Sequence, residues 1–462
     1  MLAKLKKKYI GDWDFYQKYL LLAIPMILQN AITNLVSFLD NIMVGQLGTE
    51  QMSGVAIVNQ LIFVYNLAIF GAVSAASIFG AQYFGKGNHK GHMYSFRFKL
   101  YATLLVTGGA ILLFLTKGSA LISLYLTDTV GNGATDLALQ YGLEYLAIMM
   151  VGLIPFAVNQ SYATNIKETG QTFIPMLASF VAVGTNAILD YLMIFGIGPF
   201  PELGVQGAAL ATVIARYIEA LIVVIWAHIH RGKNRYLEGA YTSFGIPLAE
   251  LKAILIKGFP LMMNEVLWAA GMTTVTQCYS VRGLDVVAGL NIASTITNLF
   301  NIVYLQLGSC ISIVVGQYLG AGKLEDAKDA DNKMIVFSVF CCVIMAALMF
   351  VVGGFFPGIY NTTEEIRELA TSFIAVSAII MPFCAFSHAS YFTLRSGGKT
   401  VVTFLFDSVF TWVIVVPAAY LLAHFTGLGI VSIYFLVQGT ELIKVIIGYL
   451  MVKSNVWVVQ MV

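Results

Sequence analysis

The stretch Gly80-Ala-Gln-Tyr-Phe-Gly-Lys-Gly87 returns 235 residues later as Val315-Gly-Gln-Tyr-Leu-Gly-Ala-Gly322. At the same offset Pro25 falls on Pro260, Gly48 on Gly283, Gly54 on Gly289, Asn66 on Asn301 and Ser74 on Ser309. These matches sit on Gly, Pro and polar residues, so they are no by-product of apolar composition. A later pair, Gly170 with Thr172 against Gly398 with Thr400, continues the duplication at an offset of 228. The chain is therefore built from two related halves.

What each half contains follows from hydropathy. The residues are 58% hydrophobic and only 11% charged, with a mean hydropathy of +0.81, whereas soluble domains are roughly 25% charged. At about 20 apolar residues per spanning helix, a chain of this length holds about a dozen spans. Apolar runs place helices near 18–46, 53–84, 95–126, 134–165, 171–198 and 204–230, and a second set near 250–281, 287–319, 332–357, 365–394, 400–425 and 428–453. The expected fold is all-α and integral to the membrane, with twelve transmembrane helices in two pseudo-symmetric six-helix lobes, residues 1–235 and 236–462. Six spans return the chain to its starting side, so the lobes run in the same direction about an axis along the membrane normal. Such a pair of lobes around a cleft suits alternating access.

Charge gives an expected orientation. With a cytoplasmic N-terminus, the inner segments hold Lys86, Lys90, Arg97, Lys99, Lys167, Arg231, Lys233, Arg235, Lys323, Lys328, Lys333, Arg395 and Lys399. The outer ones hold only Lys117, Arg282 and Arg367. Both termini are then expected inside, in the plasma membrane. Lys4, Lys6, Lys7 and Lys8 precede a first apolar run without a cleavage site, which reads as a retained helix. A net charge of +2 gives no reason to expect nucleic acid. The expected partners are the bilayer and small organic substrates, the expected state is a monomer, and no cofactor is expected. The cysteines Cys278, Cys310, Cys341, Cys342 and Cys384 show no metal-ligand spacing and read as packing residues.

Ionisable groups inside spans cost about 2.5–3.5 kcal/mol each on insertion scales, so each needs a reason to be there. Arg216 with Glu219, and Glu441 with Lys444, are three apart and are expected to pair along one helix face. Asp40 and Asp190 lie 22 and 23 residues beyond Lys18 and Lys167, about 33 Å along their helices, which puts both in the outer half of the first lobe. Asn186 is one turn before Asp190; Asn159 and Thr212 lie on neighbouring spans, and Pro25 can loosen the first helix. Such oxygens suit Na⁺, two close carboxylates suit H⁺, and a static polar core is the structural alternative. Glu144 reads as interfacial. Glu265 and Asp407, each 8 residues past a lysine, are expected together in the inner half of the second lobe. Glu265, with Asn264 and Trp268 beside it, would meet a cationic substrate through charge and ring face, or would serve only as scaffold.

Taken in order, these features resemble the multidrug and toxic compound extrusion (MATE) family of cation-coupled antiporters. The carriers are Pro25 and Asp40, Gly80-Ala-Gln-Tyr-Phe-Gly85, Asn186-Ala-Ile-Leu-Asp190, Gly204-Val-Gln-Gly-Ala-Ala-Leu-Ala-Thr212, Pro260 with Asn264, Glu265 and Trp268, and Gly316-Gln-Tyr-Leu-Gly320. The resemblance runs the full length and implies export of amphipathic, often cationic compounds in exchange for H⁺ or Na⁺. It implies cation roles for Asp40, Asn186, Asp190 and Thr212, with Asn159 supporting, and a substrate or second-lobe role for Glu265. Members place a further acid on the tenth span; none is found there, and Asp407 on the eleventh stands in for it.

Two other readings compete with this one. A lipid-linked precursor or metabolite flippase of the same wider superfamily is disfavoured by the span count and the scarce interior Lys and Arg. A membrane enzyme would need a nucleophile with a base or a metal cluster. His89, His92, His228, His230, His388 and His424 read as helix-end or loop residues, and no His-Glu-x-x-His occurs.

Overall fold

The computed structural model describes residues 9–126 and 132–462; the basic residues Lys4, Lys6, Lys7 and Lys8 lie outside them. The helices of the first half are α1 (Trp13–Gly45), α2 (Thr49–Lys86), α3 (His89–Ser123), α4 (Asn132–Val151), α5 (Leu153–Glu168), α6 (Phe173–Ile194) and α7 (Val205–Ile229). The second half comprises α8 (Leu248–Ser280), α9 (Leu284–Gly320), α10 (Leu324–Gly353), α11 (Glu364–Ser396), α12 (Thr400–Phe425) and α13 (Ile430–Lys453). Eleven helices are individually long and apolar enough to span, and α4 with α5 form one further span bent by 44°. Among the described residues this makes twelve spans, the number expected, with each helix where the apolar runs put it.

The bend between α4 and α5 has a local cause. Pro155 has no N–H to give the carbonyl of Val151, and Gly152 sits at the break. Arg216 then donates from Nη1 to the Gly152 carbonyl (3.4 Å) and stacks over the Phe156 ring at 5.1 Å.

The duplication reappears in backbone geometry. Gly48 and Gly283 have φ of 142° and 127°, Gly87 and Gly322 both 74°, and Gly170 and Gly398 80° and 69°. Each pair is related by one of the two sequence offsets. Each lies in a turn beside a span, in a region where a side chain would be strained, so glycine is needed at both copies.

Packing divides the chain into two compact units whose limits differ from the sequence halves. Among the described residues one contains Leu28–Gly80 and His89–Lys252, the other residues 9–27, Ala81–Asn88 and Ala253–Val462. Helix α1 contributes to both, and its division falls two residues beyond the buried Pro25.

In the first of these units Val58, Tyr65, Ile122, Leu153 and Ala208 form the apolar centre, and Tyr65 caps it by donating to the Leu153 carbonyl at 3.0 Å. The link after α7 folds back onto the unit. Arg97 donates Nε to the Ala240 carbonyl (2.8 Å), Nη1 to Gly245 (2.8 Å) and Nη2 to Gly239 (2.6 Å). Tyr236 is buried beneath, where desolvation pushes its phenol well above the usual range and keeps it neutral.

In the other unit α9 and α11 form the middle. Where α2 and α9 end, they cross at repeat-related residues. A Cβ on Gly85 would lie 2.0 Å from the Gln317 carbonyl oxygen, and one on Gly320 would lie 1.9 Å from that of Gln82. The two contacts are copies of each other, as in an isologous dimer interface. The chain's last residues close over this crossing: Gln82 Oε1 accepts from the Met461 amide (2.8 Å), and Gln82 Nε2 donates to the Ser396 carbonyl (2.9 Å).

Candidate functional site

Asp40 stands near the end of α1 and Asp190 near the end of α6, one turn after Asn186. Asn186 Nδ2 donates to Thr212 Oγ1 of α7 at 3.4 Å. The two carboxylates are close enough to act on one another and on the phenol of Tyr145, which donates to Asn59 at 3.4 Å. Among the described residues neither is in an ion pair, and Oδ1 of each is buried without a hydrogen-bond partner. Asn159 on α5 is buried too, and its Oδ1 is likewise unpartnered, but no hydrogen bond links it to the other four.

The donor set has a clear chemical character. Carboxylate, amide and hydroxyl oxygens with free lone pairs serve a proton or a hard monovalent cation. A divalent or transition-metal site is another matter: no group of three or more His, Cys, Asp or Glu suited to a metal occurs among the described residues. Glu144 lies at the edge of this unit and accepts from Gln140 (2.9 Å) and Gln206 (3.2 Å).

Two expected pairings within single helices are corrected. Glu219 does not pair with Arg216; it accepts from Ser179 of α6, which itself accepts from Gln29 of α1 at 2.7 Å. Arg216 holds the α4–α5 break instead. Lys444 does not pair with Glu441 but with Asp407 of α12, Nζ to Oδ1 at 2.6 Å, while Glu441 Oε1 is buried without a partner. In both cases a group on another helix offered better geometry than one turn of the same helix.

The second-lobe site is built around Asn264. Its Nδ2 donates to Asp407 Oδ2 at 3.0 Å, and its Oδ1 accepts from Ser408 Oγ at 2.8 Å. Asp407 and Ser408 lie on a π-helical turn of α12, Leu405–Val409, and a second such turn covers Thr411–Val415. Extra residues of this kind turn side chains out of helical register and recur at functional sites. They put Asp407 and Ser408 on opposite ends of one amide. Glu265 stands near the middle of α8, because that helix begins at Leu248. It lies within the electrostatic reach of Asp407 and Arg395. Trp268 is 37% exposed.

Several buried polar groups escaped the sequence reading. Lys99, wholly buried, donates to both Asn165 and Glu168, and His92 Nε2 lies 3.3 Å from Glu168 Oε2. His92 thus lies at the helix end expected, in the first turn of α3, but it is buried. His388 is not at a helix end: it lies two turns inside α11, its ring 4.7 Å from that of Tyr304. The available signal was the spacing of His92 and Lys99, which share a face of α3 seven residues apart.

With this geometry in hand, comparison with known proteins is direct. The MatE family model matches residues 25–192 and 260–421, one match in each half. A probable multidrug resistance protein NorM of Thermotoga maritima is 23% identical over 413 residues, spanning 89% of this chain and 86% of the relative. A protein of the same name from Halalkalibacterium halodurans is 24% identical, covering 89% and 88%. A solved structure described as an outward-facing multidrug resistance MATE family transporter of the MOP superfamily superposes with a TM-score of 0.86 at 20% identity, over 96% of both chains. A MOP superfamily transporter from Pyrococcus furiosus superposes at 0.85, again at 20% identity and 96% coverage of each. The two matched segments cover most of both halves, and the chain belongs to the MatE family of multi-pass membrane efflux transporters and is not an enzyme.

Proposed function

We propose that the protein is a secondary antiporter that exports amphipathic, cationic organic compounds in exchange for H⁺ or Na⁺, with both termini on the cytoplasmic side. One observation carries the reading. Asp40 and Asp190, two carboxylates on different spans, lie within electrostatic reach of one another, each with a buried, unpartnered oxygen, and Asp190 follows by one turn the Asn186 that donates to Thr212. Two like charges so placed favour uptake of one positive charge, which relieves both burial and repulsion.

Coupling needs the cation to prefer one state of the protein and the drug another, since a ligand with equal affinity for both shifts nothing. Helix α1 is suited to carry this preference. It bears Asp40, it contains Pro25, and its residues before and after the Ile27–Leu28 division, two residues beyond that proline, pack in different units. Loading the Asp40–Asp190 site would favour one packing of α1, and binding of the drug the other. Glu265, near mid-helix on α8 and facing the charges of Asp407 and Arg395, is proposed as the acid that meets the cationic drug.

The test is efflux of ethidium or norfloxacin from vesicles holding the native protein or Asp40→Asn, under a pH gradient and a Na⁺ gradient imposed separately. Efflux by the native protein under one gradient and its loss in the variant are expected. Undiminished gradient-driven transport by the variant would sink the coupling role.

A further inference from the structure

Asp331, on the first turns of α10, is wholly buried yet poorly satisfied. Its Oδ1 accepts from Thr393 Oγ1 at 2.5 Å, but that Oγ1, with a single proton to give, also lies 2.9 Å from the Ala389 carbonyl oxygen. Among the described residues its Oδ2 is buried with no hydrogen-bond partner. The neighbouring charges of the same turns are satisfied among themselves: Lys328 pairs with Glu325 at 2.7 Å, and Lys333 pairs with Asp329. Among the described residues Asp331 has no ion pair. An unneutralised carboxylate in such a place is costly, and a cation held beside it would relieve that cost.

The structure also provides room for one. Asp331 lines a cavity of about 190 Å³ enclosed by α10, α11, α13 and the last residues of the chain. Its other walls include Asn332 and Val336 of α10, Phe386 of α11, Tyr449 and Lys453 of α13, and Trp457. Lys453 does not neutralise the acid, because its Nζ lies over the Tyr449 ring, 5.6 Å from the centroid. A small chamber with one buried carboxylate and aromatic walls is the arrangement that recognises an organic ammonium ion.

We propose that this cavity is a binding site for a primary ammonium group, separate from the Asp40–Asp190 and Glu265 sites. A primary ammonium brings three N–H donors, one for the free Asp331 oxygen, and an alkyl stem that the rings cover. Such a group could belong to a free alkylamine or to an ethanolamine lipid headgroup, and the two sources can be told apart.

The experiment follows thermal unfolding of the full chain in phosphatidylcholine nanodiscs as ethylammonium chloride is titrated at constant ionic strength, with KCl as control. A ligand held only by the folded state raises Tm in a saturable way. A saturable rise is expected for the native protein and for Glu265→Gln, and none for Asp331→Asn. Because Asp331→Asn alters a buried group, Val336→Phe serves as the second variant: it keeps the carboxylate and fills the cavity from a partly exposed wall position, and it too must lose the response. No saturable rise in the native protein, or a rise that survives in either variant, overturns the proposal. Repeating the titration in phosphatidylethanolamine nanodiscs identifies the source. A response abolished there means that the headgroup already fills the site, and an unchanged one means that the site takes free amines; either supports it.

Discussion

Lys444 of α13 and Asp407 of α12 form a buried ion pair, Nζ to Oδ1 at 2.6 Å, and the second carboxylate oxygen of Asp407 takes a hydrogen bond from Asn264 of α8. Three helices are thereby joined through one carboxylate. Removing one member of a buried pair strands the other charge, at about 3–5 kcal/mol, whereas removing both is often nearly neutral. Lys444→Met should therefore lower Tm strongly, and Asp407→Asn combined with Lys444→Met should recover most of the loss. Thermal unfolding in detergent checks this, and a loss in the double variant equal to the sum of the two single losses would show that the charges are not coupled.

The reciprocal crossing of α2 and α9 predicts an equally sharp contrast among glycines. Gly85→Ala and Gly320→Ala each place a methyl at about 2 Å from a backbone carbonyl oxygen of the other helix, which no rotamer change can relieve. Overpacking of this kind costs about 1–3 kcal/mol or more. Gly108→Ala and Gly109→Ala, inside α3 with nothing within 4 Å of the added carbon, should be neutral or stabilising by up to about 1 kcal/mol. Melting curves of the four variants decide the matter, and the prediction fails if the two sets overlap.

These contrasts show which parts of the molecule the chain of letters discloses. Spans are legible because lipid demands long apolar runs, and the repeat is legible because its glycines must adopt positive φ in both copies. Asp40, Asp190, Asn186 and Thr212 could be proposed as one site because helical rise fixes depth along a span. Partners across helices are another matter. Nothing local says that Lys444 prefers Asp407 to Glu441, since that choice depends on two π-helical turns and on how α12 faces α13. Asp331 was overlooked for a similar reason: it stood one residue outside the apolar run, so its burial against α11 and the chain's end had no sequence signature.

The network of His92, Lys99, Asn165 and Glu168 gives a third prediction. Lys99 and Glu168 are both almost fully buried and oppositely charged, and a Cβ on Gly80 of α2 would collide with Glu168 Oε2. Glu168→Gln leaves Lys99 charged in a dry site and should cost about 3–5 kcal/mol. Glu168→Gln with Lys99→Met should restore much of that stability. Thermal melts of the single and double variants separate a paired network, with strong coupling between the two positions, from independent residues whose losses simply add.

The proposed coupling site allows H⁺ and Na⁺ to be distinguished by side chain. A proton needs one carboxylate oxygen, whereas Na⁺ in place of its hydration shell needs several oxygens at once. Asp40→Asn and Asp190→Asn remove what both ions require and should abolish efflux under either gradient. Thr212→Val removes a hydroxyl that a proton does not need, while keeping shape and the neighbouring carboxylates. If H⁺ is the coupling ion, Thr212→Val should retain pH-driven efflux within a factor of about two. If Na⁺ is, the same variant should require a Na⁺ concentration about tenfold higher for half-maximal efflux, since the loss of one oxygen ligand of about 1.4 kcal/mol corresponds to that factor. Initial rates of ethidium efflux from vesicles, measured across a series of imposed gradients, give both quantities. Unchanged rates for Asp190→Asn would remove it from the site and leave Asp40 to carry the ion alone.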